Sequence, residues 1–376
     1  MQFLEKDFRV LMQILSAYPY KFYLFGSRSK NTARAYSDVD ICYFDDIPDL
    51  VHAQILADFD ESDFPFKVDL VSSSHMSEDF RRSIAADLKL LSKRVIAVSG
   101  ASGFIGSALV EALQKRGYEV WGLRLRGEPG EIDVERLASC YAVINLAGSN
   151  LMGGLWTKKF RRLLIDSRLK TTEALARGMI FAKGPRIFLS ASAIGFYGDG
   201  GERDLDEQSP QGQGFLARLC GQWEGASKLA KDAGIRVVNL RTGIVLGAGG
   251  GMLAILEPLY KMGLGGPLGS GKQFMAPIAL KDAVAAIIFA LEHDELSGPL
   301  NLVGPTPITS QDFSRCLALS LKRSACLRVP QAMLKLLGDQ GQMLLASSRV
   351  VPARLLAAGF KFSYTNTQDA LKAIYK

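Results

Sequence analysis

The chain has 376 residues, more than a single hydrophobic core usually serves, so two or more domains are expected. Its 48% hydrophobic and 22% charged residues are those of an ordinary globular protein and exclude a disordered or fibrous chain. The net charge of +7 is unevenly divided: residues 1–92 hold 10 Lys and Arg against 15 Asp and Glu, a net of −5, which leaves +12 for residues 93–376.

Phe3, Phe8, Leu11, Met12 and Leu15 recur at helical spacing up to Tyr18-Pro19 and predict an opening helix. Phe22 to Phe25 reads as a strand entering Gly26-Ser27, and Asp38-Val39-Asp40 leads into a second strand over Ile41 to Phe44. Residues two apart on a strand share a face, so Asp38 and Asp40 present two carboxylates together. Such a pair repels itself unless a cation intervenes, and Mg²⁺ carrying nucleotide phosphates is a suitable one. Phe66 to Val71 is a further strand with Asp69 at its centre, and Ser77 to Leu91 is expected to close the unit as a helix. His52 and His75 lie outside this pattern and read as packed or surface residues.

The run Gly26-Ser27-Arg28-Ser29-Lys30-Asn31-Thr32-Ala33-Arg34, with Ser37-Asp38-Val39-Asp40 and the later Asp69, resembles the minimal nucleotidyltransferases of the polymerase-β superfamily, often antitoxins to HEPN-type toxins. The resemblance covers about residues 5–92. It implies that Gly26 and Ser27 hold a triphosphate, that Asp38 and Asp40 bind metal, and that Asp69 is the third metal ligand or the base. The implied chemistry is Mg²⁺-dependent transfer of a nucleotide to a hydroxyl, on a protein or an RNA end. A domain kept for binding alone is the alternative. Ser92-Lys93 is the whole expected linker, short enough that the two units should pack together.

From Val95 onward, short apolar strands alternate with helices, the pattern of a doubly wound parallel sheet. Val95 to Val98 is a buried strand, Gly100, Gly103 and Gly106 punctuate the turn after it, and Phe104 to Lys115 is an amphipathic helix. In such a unit the glycines allow a tight turn, close approach of a pyrophosphate and close packing of helix on strand, while the helix N-terminus offers free N–H groups. The segment Gly100, Ser102, Gly103, Phe104, Ile105 and Gly106 is therefore a predicted dinucleotide cradle. The second strand, Tyr118 to Leu123, ends at Arg124, Leu125 and Arg126, where an NAD enzyme would place a carboxylate on the ribose 2′-hydroxyl. Two arginines suit a 2′-phosphate, which predicts NADP rather than NAD. Ala142 to Gly148 is the next strand, with Leu146, Ala147 and Gly148 beside the cofactor. Trp156 to Met179 is a long helix, Arg186 to Ser190 a strand, and Arg236 to Leu240 another. Ser192 and Tyr197 then put hydroxyls at the carboxyl edge of the sheet.

Ile144-Asn145-Leu146-Ala147-Gly148, Leu189-Ser190-Ala191-Ser192, Phe196-Tyr197-Gly198-Asp199, Trp223-Glu224 and Leu240-Arg241-Thr242-Gly243 closely resemble the extended short-chain dehydrogenase/reductase superfamily. More narrowly they resemble its atypical epimerase-like branch, the YfcH or SDR39U1 group, as do Leu264-Gly265-Gly266-Pro267 and Gly269-Ser270-Gly271. The tail from Leu327 to Tyr375 resembles the DUF1731 segment that accompanies this branch. The resemblance implies a Rossmann fold over residues 93–326, a mostly helical C-terminal region over 327–376 on the substrate side, and NADP as cofactor. It also implies a Tyr and a Lys four residues apart as acid–base pair, yet aligning on Glu224 puts Leu216 and Cys220 there. Ala279 and Lys281 likewise stand where relatives carry a histidine and an aspartate. Ser192 and Tyr197 remain as candidate catalytic groups.

Gly266 to Lys272 has the spacing of a P-loop, but Gln273 occupies the Ser/Thr position and no buried strand precedes it, so it reads as a flexible substrate-side loop. Asp282–Glu292, Ser310–Leu321 and Gln331–Leu345 are expected helices and Leu300–Val303 a strand. The basic residues form no clustered stripe, which argues against sequence-specific nucleic-acid binding. The uncharged run Ala283 to Leu291 is too short to span a bilayer. A charged N-terminus and five scattered cysteines are expected of a cytoplasmic protein without disulfides or zinc. The expectation is an α/β fusion: a nucleotidyltransferase-like unit before an NADP-binding epimerase or oxidoreductase acting on a small molecule. The alternative is a non-catalytic NADP-sensing scaffold linked to cell division, as plant relatives of this branch imply, with nucleotidylation as the main chemistry.

Overall fold

The structure, a computed structural model, describes residues 3–18, 20–34, 37–91, 94–124, 132–325 and 327–376. The first part runs α1 (Glu5–Ser16), β1 (Phe22–Leu24), α2 (Gly26–Ser29), β2 (Val39–Tyr43), α3 (Asp49–Asp60), β3 (Val68–Ser72), α4 (Glu78–Ile84) and β4 (Lys89–Leu90). Its strands form one sheet in the order β3-β2-β1-β4. Strands β2 and β3 are parallel, while β1 runs antiparallel to β2 and β4. Leu11 and Leu15 of α1, Ile55 of α3 and Phe22, Leu24 and Ile41 of the sheet are wholly buried together. The helix expected over Ser77 to Leu91 is instead three pieces. Alpha helix ends at Ile84, a single 3-10 turn spans Ala85–Asp87, and Lys89–Leu90 pairs with β1. The Lys89 ammonium donates to the Ser29 carbonyl and Lys30 pairs with Asp87 at 2.9 Å. These tertiary partners outweigh helical periodicity in so short a segment.

The second part continues through β5 (Val95–Ser99), α5 (Phe104–Lys115), β6 (Glu119–Leu123), α6 (Val134–Ala138), β7 (Cys140–Asn145), α7 (Lys158–Ala182), β8 (Ile187–Ala193), α8 (Phe215–Asp232) and β9 (Arg236–Thr242). There follow β10 (Ile244–Leu246), α9 (Gly251–Lys261), β11 (Phe274–Met275), β12 (Pro277–Ala279), α10 (Leu280–Glu292), β13 (Gly298–Leu302), β14 (Ile308–Thr309) and α11 (Ser310–Leu321). Four short helices end the chain: α12 (Gln331–Lys335), α13 (Asp339–Leu345), α14 (Ala353–Ala357) and α15 (Thr367–Ile374).

Six strands form a parallel sheet in the order β13-β9-β8-β7-β5-β6. Alternation along the strands sends Ile96, Val98, Ile144, Leu189 and Leu240 to one face, against Leu109 and Leu113 of α5 and Ile287 of α10. Ala97, Val143 and Phe188 face Leu175 and Met179 of α7 and Ala230 of α8. The chain reverses its direction of travel across the sheet between β5 and β7, and ligands of open α/β sheets bind at such a switch point. Beyond the sheet, α9, α11 and α15 share a small core of Leu253, Tyr260, Phe313, Leu317 and Leu371. The helix expected over Gln331–Leu345 divides into α12 and α13 because Gly338 takes a φ of +60° between them.

Ser92-Lys93, expected to be the linker, lies outside the described residues. Next to it, the Arg94 guanidinium donates to the Tyr18 carbonyl at 2.6 Å and lies 4.3 Å from the centre of the Tyr141 ring. One side chain thus ties the end of α1 to β7, as expected of two units that pack together.

Candidate functional site

The turn after β5 is a tight glycine turn that leads into the N-terminus of α5. Gly100 has a φ of +79°, a conformation that side chains disfavour. A Cβ on Gly100 would lie 2.8 Å from the carbonyl carbon of Leu146. One on Gly106 would approach the Gly100 carbonyl more closely than the 3.0 Å that real Cβ atoms keep. The glycines therefore press α5 onto the turn and the turn onto the segment after β7. Gly103 is the N-cap of α5 and contributes no side-chain cap, and no acidic residue occupies the first turn. The helix thus presents uncapped N–H groups and the positive end of its dipole at the switch point. Ser102 is exposed at this end. Phe104 and Ile105 turn inward instead and pack on Val245 and Ile278. Gly250 and Gly251 lie against the Phe104 ring with no room for a Cβ on Gly250, so the glycines of that stretch are moulded on the cradle helix.

Arg124 follows β6 directly and is exposed. Arg126 lies outside the described residues.

The opposite wall of the cradle is Leu146, Ala147 and Gly148. The Leu146 N–H donates to Ser99 at 2.9 Å and the Ala147 N–H to the Asn145 side chain at 3.2 Å. Asn145 in turn donates to Thr172 of α7, which also accepts from the Trp223 indole of α8 at 2.9 Å. Asn145 and Thr172 are fully buried, and these hydrogen bonds offset the cost of burying their polar groups.

At the carboxyl edge, β8 delivers Ser192 and the turn after it delivers Tyr197, both buried. The Ser192 hydroxyl donates to Glu224 at 2.7 Å. Glu224 also takes a forked pair of bonds from Arg241, Nε to Oε1 at 2.8 Å and Nη2 to Oε2 at 2.9 Å. Arg241 donates its remaining Nη1 to the Tyr197 hydroxyl at 2.9 Å, and that hydroxyl donates to Asn301 at 2.7 Å. The Arg241 guanidinium also stacks 3.6 Å from the centre of the Phe196 ring. Burial pushes the Tyr197 phenol up, against the pull of Arg241. Burial alone would weaken the Arg241 cation, but the Glu224 bonds more than offset this and hold it charged. The network continues through Glu207, which accepts from the Asn301 N–H at 3.0 Å and from the Arg354 N–H of α14 at 3.3 Å. It thereby joins β8, α8, β9, β13 and the C-terminal segment.

Leu216 and Cys220 lie on α8 facing Gly195, where a Cβ would come within 3.2 Å of Leu216 and 3.6 Å of Cys220. Burial, with the Glu224 charge nearby, pushes the Cys220 thiol up to about 12. It is neutral at physiological pH and supplies no ammonium-like charge. Ala279 is buried at the end of β12, and Lys281 points its ammonium at the Tyr364 ring. Asp282 is buried and accepts from the N–H groups of Ser363 and Tyr364, so it clasps the tail to α10. The Gly266–Lys272 loop is fastened rather than loose. Gly269 donates to Val329 at 2.9 Å and Gln273 to the Leu268 carbonyl at 3.0 Å.

In the first sheet, Asp40 and Asp69 are register partners on adjacent parallel strands. Gly26, with a φ of +71°, lies so close to the Asp40 carboxylate that no Cβ fits between them. Ser27 follows it in α2, and Asp38 is exposed just before β2. Burial, then the Asp69 and Asp38 charges, raise the Asp40 carboxyl above its usual range, with Arg28 opposing. Arg28 is buried beside the Phe66 ring at 3.8 Å and donates to the Ser37 carbonyl at 2.8 Å. Asp69 has Lys67 at 3.5 Å. Among the described residues no three His, Cys, Asp or Glu side chains are already gathered as metal ligands. Carboxylate oxygens are hard ligands of the kind that divalent cations take.

Sequence reasoning gave Glu224, Arg241, Asn301 and Arg168 no role. Arg168 carried a legible signal, since it sits on the helical stripe Leu164, Thr172 and Leu175 that is otherwise buried and uncharged.

The fold and cradle define a Rossmann-like α/β protein with a second, nucleotidyltransferase-type unit before it. Residues 96–302 match the NAD dependent epimerase/dehydratase family, and the chain belongs to that family. Residues 329–374 match the domain of unknown function DUF1731, and residues 11–95 match the polymerase beta nucleotidyltransferases. An epimerase family protein of Mycobacterium leprae is 40% identical over 294 residues, 74% of this chain and 95% of the relative. The human epimerase family protein SDR39U1 is 37% identical over 290 residues, 74% of this chain and 99% of the relative. The crystal structure of human SDR39U1 (isoform 2) with NADPH matches with a TM-score of 0.69 and 34% identity, covering 75% of this chain and 99% of that one. Such relatives support an enzyme. No described helix is long and apolar enough to cross a membrane.

Proposed function

We propose that residues 93–326 bind NADP and serve an epimerase or oxidoreductase reaction on a small molecule, with 327–376 on the substrate side. The observation that carries this is the Gly100–Gly106 cradle, where a Cβ has no room at Gly100 or Gly106 and the helix end is uncapped. The human relative's structure with NADPH supports the same reading. The α5 N–H groups and Ser102 would take the pyrophosphate, Leu146 to Gly148 the opposite side, and Arg124, with Arg126, the 2′-phosphate. When bound, the nicotinamide gives or accepts a hydride. Ser192 and Tyr197 are the hydroxyls proposed to face the reaction, and each must release Glu224 or Asn301 before it can pass a proton. NADPH should bind at least tenfold tighter than NADH by fluorescence titration, and Arg124→Glu should narrow that ratio. Equal affinities would overturn the preference.

The NADP-sensing scaffold is favoured by a different observation: neither Leu216 nor neutral Cys220 can do acid–base work, and the hydroxyl network is closed on itself. Hydride transfer to any of a panel of carbonyl compounds and nucleotide sugars, lost in Ser192→Ala with NADPH still bound, would decide against the scaffold.

For residues 1–92 the proposed activity is transfer of a nucleotide to a protein or RNA hydroxyl. Asp38, Asp40 and Asp69 would hold Mg²⁺, and Gly26 and Ser27 the triphosphate. The raised Asp40 carboxyl and its contact with Gly26 support a seat prepared for a cation. Labelled ATP with Mg²⁺ should label an acceptor with wild-type protein and not with Asp38→Ala/Asp40→Ala. Equal labelling would remove the proposal. The free cysteines Cys42, Cys140, Cys220 and Cys316 suit a reducing compartment, and the cytoplasm is the proposed location.

A further inference from the structure

A guanidinium lies buried directly under one wall of the cradle. Arg168 is 7% exposed, yet no carboxylate among the described residues bonds to it or forms an ion pair with it. Its Nη1 donates to the Leu164 carbonyl at 3.1 Å, its Nη2 donates to the Ser149 carbonyl at 3.0 Å, and its Cζ lies 5.1 Å from the centre of the Trp223 ring. It is also close to Gly148, where a Cβ would lie 3.4 Å from Cζ.

A buried charge without a counter-charge costs stability, and a well-packed apolar side chain would cost less. Burial weakens the cation accordingly, and the sole group opposing that effect is Cys220, whose thiol is neutral. The cost falls where about a turn and a half of α7, Ser167 to Thr172, grips the cradle wall. Ser167 accepts from the Ser149 N–H at 3.2 Å, Arg168 holds the Ser149 carbonyl, and Thr172 holds Asn145, which holds the Ala147 N–H. The same wall touches Gly100, so its position sets the turn that faces the cofactor.

We propose that Arg168 is a positioning residue for the dinucleotide: it clamps the Gly148–Ser149 wall and keeps beneath it a positive charge that an anionic cofactor offsets on binding. This rests on the reading of the cradle as an NADP site. Two consequences separate such a cation from a purely structural one. Without the charge the empty protein keeps or gains stability, while the cofactor is held less tightly. With a point charge in place of the fork, the field survives and the clamp does not.

The test compares wild type, Arg168→Met and Arg168→Lys for melting temperature without ligand and for NADPH affinity by fluorescence titration. Arg168→Met is expected to melt at or above the wild-type temperature and to bind NADPH at least tenfold more weakly, with Arg168→Lys between the two in affinity. Wild-type affinity in Arg168→Met would overturn the proposal. So would a fall in melting temperature in both variants with affinity lost equally in both, since the effect would then be structural. Failure of the wild type to bind NADPH would overturn the cofactor reading itself, and this proposal with it.

Discussion

Arg241→Ala is expected to destabilise the six-stranded unit by about 3 kcal/mol, because it leaves the partly buried Glu224 carboxylate without its cation. The loss extends beyond one ion pair, since Arg241 supplies both bonds of the Glu224 fork and the bond to the Tyr197 hydroxyl. Glu224→Ala should cost a comparable amount by stranding Arg241, which is 4% exposed. The double variant should cost much less than the two added together, because the partners fail as one unit. All three tryptophans, Trp121, Trp156 and Trp223, belong to this part of the chain. Urea unfolding followed by tryptophan fluorescence therefore reads it without interference from residues 1–92. Strict additivity of the two single variants would show that the pair is not coupled.

This network explains why the two candidate hydroxyls were legible and their state was not. Ser192 and Tyr197 are visible in the sequence as hydroxyls at a strand end, and the structure puts both at the carboxyl edge. What holds them comes from residues far off in the chain: Glu224 on α8, Arg241 on β9, Asn301 on β13. Nothing local marks those residues as partners. The same contrast runs through the fold. The cradle was readable because its constraint is local: three glycines between one strand and one helix impose backbone geometry whatever lies beyond. Tertiary contacts decide the segment after α4, where Lys89-Leu90 pairs with β1, and one left-handed glycine, Gly338, decides the break between α12 and α13. Both lie within helix-like periodicity. Arg168 lay between these cases, its position in a buried stripe being legible and its partners, two backbone carbonyls, not.

The largest effect on cofactor binding is expected from Gly106→Ala. The added methyl would point at the Gly100 carbonyl, a backbone atom that no rotamer change can remove. Relief requires either α5 to lift from the sheet or the turn to move toward Leu146, and Gly100 already has no room on that side. The first response exposes Leu109 and Leu113, which are fully buried against Ile96 and Val98. The second carries the turn and the α5 N-terminus out of line with each other. Overpacking against backbone of this kind costs about 3 kcal/mol or more, and a misplacement worth half of that lowers affinity about tenfold. NADPH binding to Gly106→Ala should therefore fall by at least tenfold, with a lower melting temperature for the tryptophan signal. Gly117→Ala is the control: Gly117, unlike Gly106, has a positive φ, but open space surrounds its Cβ position, so it should lose some stability to backbone strain and keep its affinity. Equal loss of affinity in both variants would mean that general loosening, and not the seat of the pyrophosphate, governs binding. Loss confined to Gly106→Ala would tie binding to the close packing of α5 on the turn.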